Sequence, residues 1–186
     1  MALTTPPICD FGWKAPDFSL PTPSGEVHSR DSLMGEGGLL LMFICNHCPY
    51  VVAVIERLVE DAVILQNAGI GVAAVMPNDV VNYPADSPAN MEKFAAHYGF
   101  SFPYLYDETQ QVARDYGAQC TPDFFGFNAR GELQYRGRID EYRPGATQQQ
   151  IAQRVPELRN AMLTIVETGQ GPREQFPSAG CSIKWK

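Results

Sequence analysis

Residues 39–51 read L-L-L-M-F-I-C-N-H-C-P-Y-V, and the reading of the whole chain turns on this stretch. Leu39 to Ile44 is continuously apolar over a strand-like length, the pattern of a strand buried on both faces. Pro49 is suited to the first turn of a helix, where its missing N–H costs nothing. Beyond it Val51, Val52, Ile55, Leu58, Val59 and Ala62 recur at helical spacing, which predicts a helix running to Asn67-Ala68-Gly69. Cys45 and Cys48 therefore stand where a buried strand hands over to a helix. Ligands of helix-covered sheets gather at such carboxyl ends of strands.

The same reasoning extends in both directions. Upstream, the alternation around Phe18 and Leu20, then Ser24-Gly25 and Val27, predicts a β-hairpin. Downstream, Gly71 to Met76 reads as a second buried strand, and Ser87-Pro88 opens a helix that ends at Gly99. Phe102 to Tyr106 is short and β-like. Asp107 to Gln110 carries a capping-box pattern for a helix ending near Gly117. Residues 123–138 alternate across an N-A-R-G turn and read as a hairpin, with Arg136-Gly137-Arg138 as its solvated end. A last amphipathic helix is predicted over residues 147–168, bent at Pro156, and the tail P-S-A-G-C-S-I-K-W-K shows no regular pattern. This order gives an α/β protein with a mixed central sheet, helices on both faces, an N-terminal β-hairpin extension and an irregular C-terminal tail.

With 186 residues the chain suits a single domain over 1–186. A net charge of −7 and the lack of any basic cluster argue against nucleic acid and anionic membranes as partners. Residues 1–8 lack the basic and apolar regions of a secretory signal, and no run approaches the ~20 apolar residues of a membrane span. A cytoplasmic location is expected, where thiols stay reduced. Five cysteines are too few for a disulfide scaffold, so a C-x-x-C pair there points to catalysis or metal binding.

A thiol at a helix N-terminus faces unsatisfied N–H groups and the positive end of the helix dipole, both of which favour thiolate. Two thiols at this spacing can close a disulfide, which opens through a mixed disulfide with an outside thiol. Cys45 is expected to attack and Cys48 to resolve, with His47 and Asn46 tuning their acidity and redox poise. An imidazole beside the pair stabilises the reduced form, so the pair should be more oxidising than thioredoxin's, at about −270 mV. The reactive group is thus the Cys45–Cys48 disulfide itself, with no other cofactor and no metal. Two other readings stand beside it: inert packed thiols, and half of a zinc site. Zinc would need distant partners such as His28 or His97, which otherwise read as surface residues. Gln119-Cys120-Thr121-Pro122 adds a candidate cis proline, whose Thr121 backbone would offer an edge to an extended thiol substrate.

As a set, A-P-D-F-S-L-P, F-I-C-N-H-C-P-Y-V, D-S-P-A-N-M-E-K-F, F-P-Y-L-Y-D-E-T-Q, C-T-P-D-F-F-G-F, Y-R-G-R-I-D and G-C-S-I-K-W-K resemble the thioredoxin-fold superfamily. The resemblance is to its redoxin/AhpC-TSA branch, called peroxiredoxin-like, and covers nearly the whole chain. It implies a thioredoxin-like fold, an active-site dithiol at Cys45 and Cys48, and a cis proline at Pro122. By the same resemblance the protein is an antioxidant thiol-disulfide oxidoreductase. Its substrates are protein or small-molecule thiols and disulfides, or peroxides, with thioredoxin or glutathione as reductant. A peroxidase would use Cys48 or Cys45, and a zinc- or partner-binding module on the same fold is the alternative of another class. In the peroxiredoxin motif P-x-x-x-T-x-x-C, Cys45 takes the threonine's place when Cys48 is aligned with the cysteine, and no arginine lies in residues 120–123. The buried acid of thioredoxins is replaced by Leu39. Among the other thiols, Cys120 lies beside the substrate edge and could pair with the dithiol, against the plainer reading of a packed thiol. Cys181 could act as a distant resolving cysteine, as C-terminal cysteines do in some peroxiredoxins. Cys9 carries no readable signal.

Overall fold

The computed structural model describes residues 3–186, so the first two residues of the expected domain lie outside the described residues. The chain begins with β1 (Leu3–Thr4) and the expected hairpin of β2 (Ser19–Pro21) and β3 (Val27–Ser29). Ser29 and Ser32 close a reciprocal cap on the single turn α1 (Arg30–Leu33). β4 (Gly38–Phe43) is buried along its whole length, as its apolar run requires. Its side chains alternate between two cores. Leu40 and Met42 face one, which also holds Leu58, Ala62, Met91 and Met162. Leu39, Leu41 and Phe43 face the other, with Phe18, Leu20, Tyr116 and Ile183. Burying each such side chain is worth about 1.5–3 kcal/mol, which fixes the strand in register.

After β4 the helix expected to be continuous is broken into α2 (Pro49–Val52) and α3 (Ile55–Asn67). At the break the Val54 N–H turns to the Val51 carbonyl, and the Arg57 guanidinium takes the Ala53 carbonyl. β5 (Ile70–Met76) returns parallel to β4, and α4 (Pro88–Tyr98) ends at Gly99 with a left-handed φ of 66°. β6 (Tyr104–Tyr106) pairs parallel with β5 and leads to α5 (Gln111–Asp115). The capping box expected at Asp107 and Gln110 does not form. Asp107 accepts instead from the Ala113 N–H at 2.8 Å, while Gln110, with φ 64°, turns its amide to the Pro77 and Lys184 carbonyls.

β7 (Cys120–Thr121) precedes a cis Thr121–Pro122 bond, then β8 (Asp123–Phe127) and β9 (Leu133–Tyr135) form the predicted hairpin. The central sheet has the order β6-β5-β4-β8-β9, with β8 antiparallel to β4, so it is mixed. The last amphipathic segment is two helices, α6 (Gln148–Ala152) and α7 (Glu157–Thr168), with Pro156 at the start of the second. Arg136 is buried rather than solvated, because Asp123 pairs with it at 3.1 Å and the Phe125 ring lies 4.3 Å from its guanidinium carbon.

The C-terminal tail is not irregular throughout. Gly180–Ser182 forms β10, which lies between β1 and β7 and pairs antiparallel with both. The sequence allows this because residue 180 is glycine: a Cβ there would run into the Thr121 carbonyl oxygen. Beyond β10, Ile183 enters the second core, and Lys184 donates its N–H to Asn78 Oδ1 at 2.9 Å. Arg114 lies over the Trp185 ring at 4.4 Å.

Candidate active site

Cys45 follows the end of β4, and Cys48 is the residue that precedes the first turn of α2. Both thiols are buried. Thr121, from β7, faces them: its hydroxyl lies 3.3 Å from Cys45 Sγ and its carbonyl oxygen 3.1 Å from Cys48 Sγ. The structure therefore brings together Cys45, Cys48 and Thr121 at the strand-to-helix junction. All five cysteines are free thiols.

The Cys48 thiol is held below the ordinary cysteine range. The neighbouring Cys45 and Cys181 thiols and the backbone of Val51 and Cys181 favour its thiolate and together outweigh its burial. The Thr121 carbonyl can only accept and works weakly in the other direction. Cys45 is pushed up, first by donating its proton to Cys48, then by burial and by the charge of Asp86. Of the two, Cys48 is thus the lowered thiol, whereas Cys45 is the one expected to attack.

The intervening Asn46 and His47 are held by Asp86, which sits in a 3₁₀ turn (Pro84–Asp86) and is fully buried. Its carboxylate accepts the Asn46 N–H at 2.8 Å, the His47 N–H at 3.3 Å and the Asn78 amide at 2.8 Å. His47 Nδ1 lies 2.7 Å from Asp86 Oδ2, and the imidazole stacks on Tyr83 at 5.9 Å. The Asn46 amide donates to the Ala85 carbonyl and accepts from Tyr104 Oη. Asp86 is the residue of the candidate site that sequence reasoning missed. Nothing in D-S-P distinguishes it from an ordinary turn acid, since its role depends on contacts across ~40 positions.

Cys181 comes within 2.9 Å of Cys48 Sγ. Burial and its contact with Cys48 raise the Cys181 thiol to about 12. Cys120 points elsewhere: its sulfur contacts the Pro122 carbonyl and the Ser178 hydroxyl, and burial pushes its thiol up. His28 pairs with Glu26, and His97 packs on Tyr98, so neither reaches the cysteines. A different trio, Cys45, His47 and Asp86, has one donor atom each within 4.8 Å of the others. The His47–Asp86 hydrogen bond already engages two of these three groups.

Residues 11–136 match the AhpC/TSA family, and the chain belongs to that family. Solved structures at lower identity show the fold to be thioredoxin-like. Among individual relatives, an uncharacterised conserved protein of Geobacillus kaustophilus is 40% identical, with a TM-score of 0.91 over 100% of this chain and 97% of that one. The thiol-disulfide oxidoreductase ResA of Geobacillus thermodenitrificans is 28% identical over 124 residues, which is 66% of this chain and 66% of ResA. A putative peroxiredoxin bcp of Coxiella burnetii is 26% identical over 132 residues, 71% of this chain and 82% of that protein.

Proposed function

We propose that this protein is a cytoplasmic thiol-disulfide oxidoreductase that cycles Cys45 and Cys48 between dithiol and disulfide, serving redox homeostasis. The observation that carries the reading is the buried Cys45–Cys48 pair set against Thr121 at the mouth of a helix. Family membership and the likeness to ResA and bcp support a redox role. Members of such families act on thiols and disulfides or on peroxides.

The exchange starts from Cys48, whose sulfur lies against the Thr121 edge. The Cys48 thiolate attacks one sulfur of a substrate disulfide, forming a mixed disulfide and expelling the other half as a thiolate, which takes up a proton. Cys45 then gives up its proton and attacks Cys48 Sγ, closing the Cys45–Cys48 disulfide and releasing the second substrate thiol. The substrate gains two electrons and the dithiol loses two. Thioredoxin or glutathione restores the dithiol by the reverse exchange. Asp86 keeps the Asn46-His47 loop in place, and Thr121 and Pro122 form the wall against which a substrate sulfur is presented. The redox-active disulfide is the only reactive group this cycle requires.

The test is turnover of a small disulfide with a dithiol donor. Cys45→Ser and Cys48→Ser should each abolish it, and oxidised protein should yield a Cys45–Cys48 peptide. Stoichiometric zinc with no disulfide on oxidation would overturn the reading in favour of a metal-binding module.

A peroxidase reading has one observation in its favour, the acidic Cys48 thiol at a helix N-terminus followed by Pro49. There the thiolate would attack a peroxide oxygen, break the O–O bond and become a sulfenic acid, which Cys45 condenses with loss of water. Cys45 fills the place where peroxiredoxins carry threonine, and among the described residues no arginine hydrogen-bonds either sulfur. Slow peroxide turnover is the expected outcome in a stopped-flow measurement.

A further inference from the structure

The edge of β7 beside Pro122 was the surface expected to receive an extended thiol substrate. The chain's own C-terminal strand occupies it. β10 pairs antiparallel with β7, in the register Cys181 opposite Thr121 and Ser182 opposite Cys120. That register sets a cysteine against the reactive thiol, as a bound substrate strand would: Cys181 Sγ lies 2.9 Å from Cys48 Sγ. The placement is built rather than incidental. Gly180 is needed for the close approach to Thr121, β1 pairs along the outer edge, and Asn78, Asp79 and Gln110 all bond the backbone just beyond. Cys45, Cys48 and Cys181 are all sealed from solvent, at 1%, 0% and 3% exposure.

We propose that β10 is a tethered substrate strand and Cys181 a third redox-active thiol, which exchanges with the Cys45–Cys48 disulfide. The proposal rests on the dithiol cycle described above. In the exchange the Cys181 thiolate attacks Cys48 Sγ, so the Cys48–Cys181 bond forms as the Cys45–Cys48 bond breaks. Cys45 leaves as a thiolate and takes up the proton that Cys181 lost. No electrons are gained or lost overall. Bringing the two sulfurs from 2.9 Å to a bond of about 2.05 Å requires a shift of under ~1 Å. Cys48 is thereby the shared sulfur, with Cys45 and Cys181 as its alternative partners. With its edge filled and its sulfurs sealed, the site is closed to outside disulfides until β10 is displaced.

The test is peptide mapping of the full-length protein after equilibration with oxidised glutathione. Cys45→Ser should close a Cys48–Cys181 disulfide in most molecules, Cys181→Ser should close Cys45–Cys48, and the wild type should contain both. If Cys45→Ser instead carries glutathione on Cys48 with Cys181 free, while Cys181→Ser still closes its pair, the tethered-substrate proposal is overturned and the dithiol cycle stands. If Cys45→Ser closes Cys48–Cys181 but Cys181→Ser forms no disulfide, the proposed bond is supported and the dithiol cycle fails. Should a variant not fold by circular dichroism, the wild type alone decides: a Cys48–Cys181 peptide supports the proposal, and Cys48 found only with Cys45 overturns it.

Discussion

Cys48 Sγ and Cys181 Sγ lie 2.9 Å apart, although 133 positions separate them in the chain. The contact makes the C-terminal segment part of the candidate site. It is also one of the contacts that lower the Cys48 thiol. Opening the segment should therefore change both the access to Cys48 and its reactivity.

Gly180→Val tests the access. A side chain at this position collides with the Thr121 carbonyl, so β10 must separate from β7. Losing that docking should cost about 1–3 kcal/mol and raise the population of opened molecules roughly tenfold or more. Iodoacetamide labelling of Cys48 and Cys181, read by mass spectrometry, should accelerate by a similar factor. Labelling at the wild-type rate would show that β10 does not seal the site.

The acidity order sets a pH dependence. Thiolate is the reactive form, and the folded protein holds Cys48 below the ordinary cysteine value of about 8.5. Thiolate at Cys48 is therefore retained at a pH where a free thiol is protonated, and is lost only as pH falls through its depressed folded-state pKa. Ultraviolet thiolate absorbance should show a first ionisation below that of a free cysteine. Cys48→Ser should remove that step, whereas Cys45→Ala should leave a step and shift it upward, because it takes away the Cys45 donor.

Much of this arrangement was legible in the residues. The run Leu39 to Ile44 announces a strand buried on both faces, and Cys45 and Cys48 follow it at a helix start, because periodicity and proline position are local signals. The hairpin at residues 123–138 declares itself for the same reason. What stayed hidden depends on distant contacts. The tail's strand has no alternation to reveal it, since three residues held between β1 and β7 need no pattern of their own. Gln110 looked like part of a helix cap, but its amide is used to hold Lys184. Arg136 looked solvated because its partner Asp123 lies on the neighbouring strand.

Asp86→Asn tests the missed residue. The substitution keeps the shape, removes the charge and sets an amide against the donors of His47 and Asn78, so stability should fall by about 1–3 kcal/mol in urea. The Asp86 charge raises the Cys45 thiol, so its removal should make Cys45 ionise more readily and speed closure of the Cys45–Cys48 disulfide, read by rapid-quench alkylation. An unchanged closure rate would mean that Asp86 serves the loop alone.

The central claim, that Cys45 and Cys48 form a reversible redox pair, is met most directly by titrating Cys181→Ser in dithiol–disulfide buffers and counting the Cys45–Cys48 peptide at each poise. The account predicts a single two-electron transition, with a midpoint above the thioredoxin value of about −270 mV. A protein whose Cys45 and Cys48 stay unpaired at every oxidising poise would contradict it.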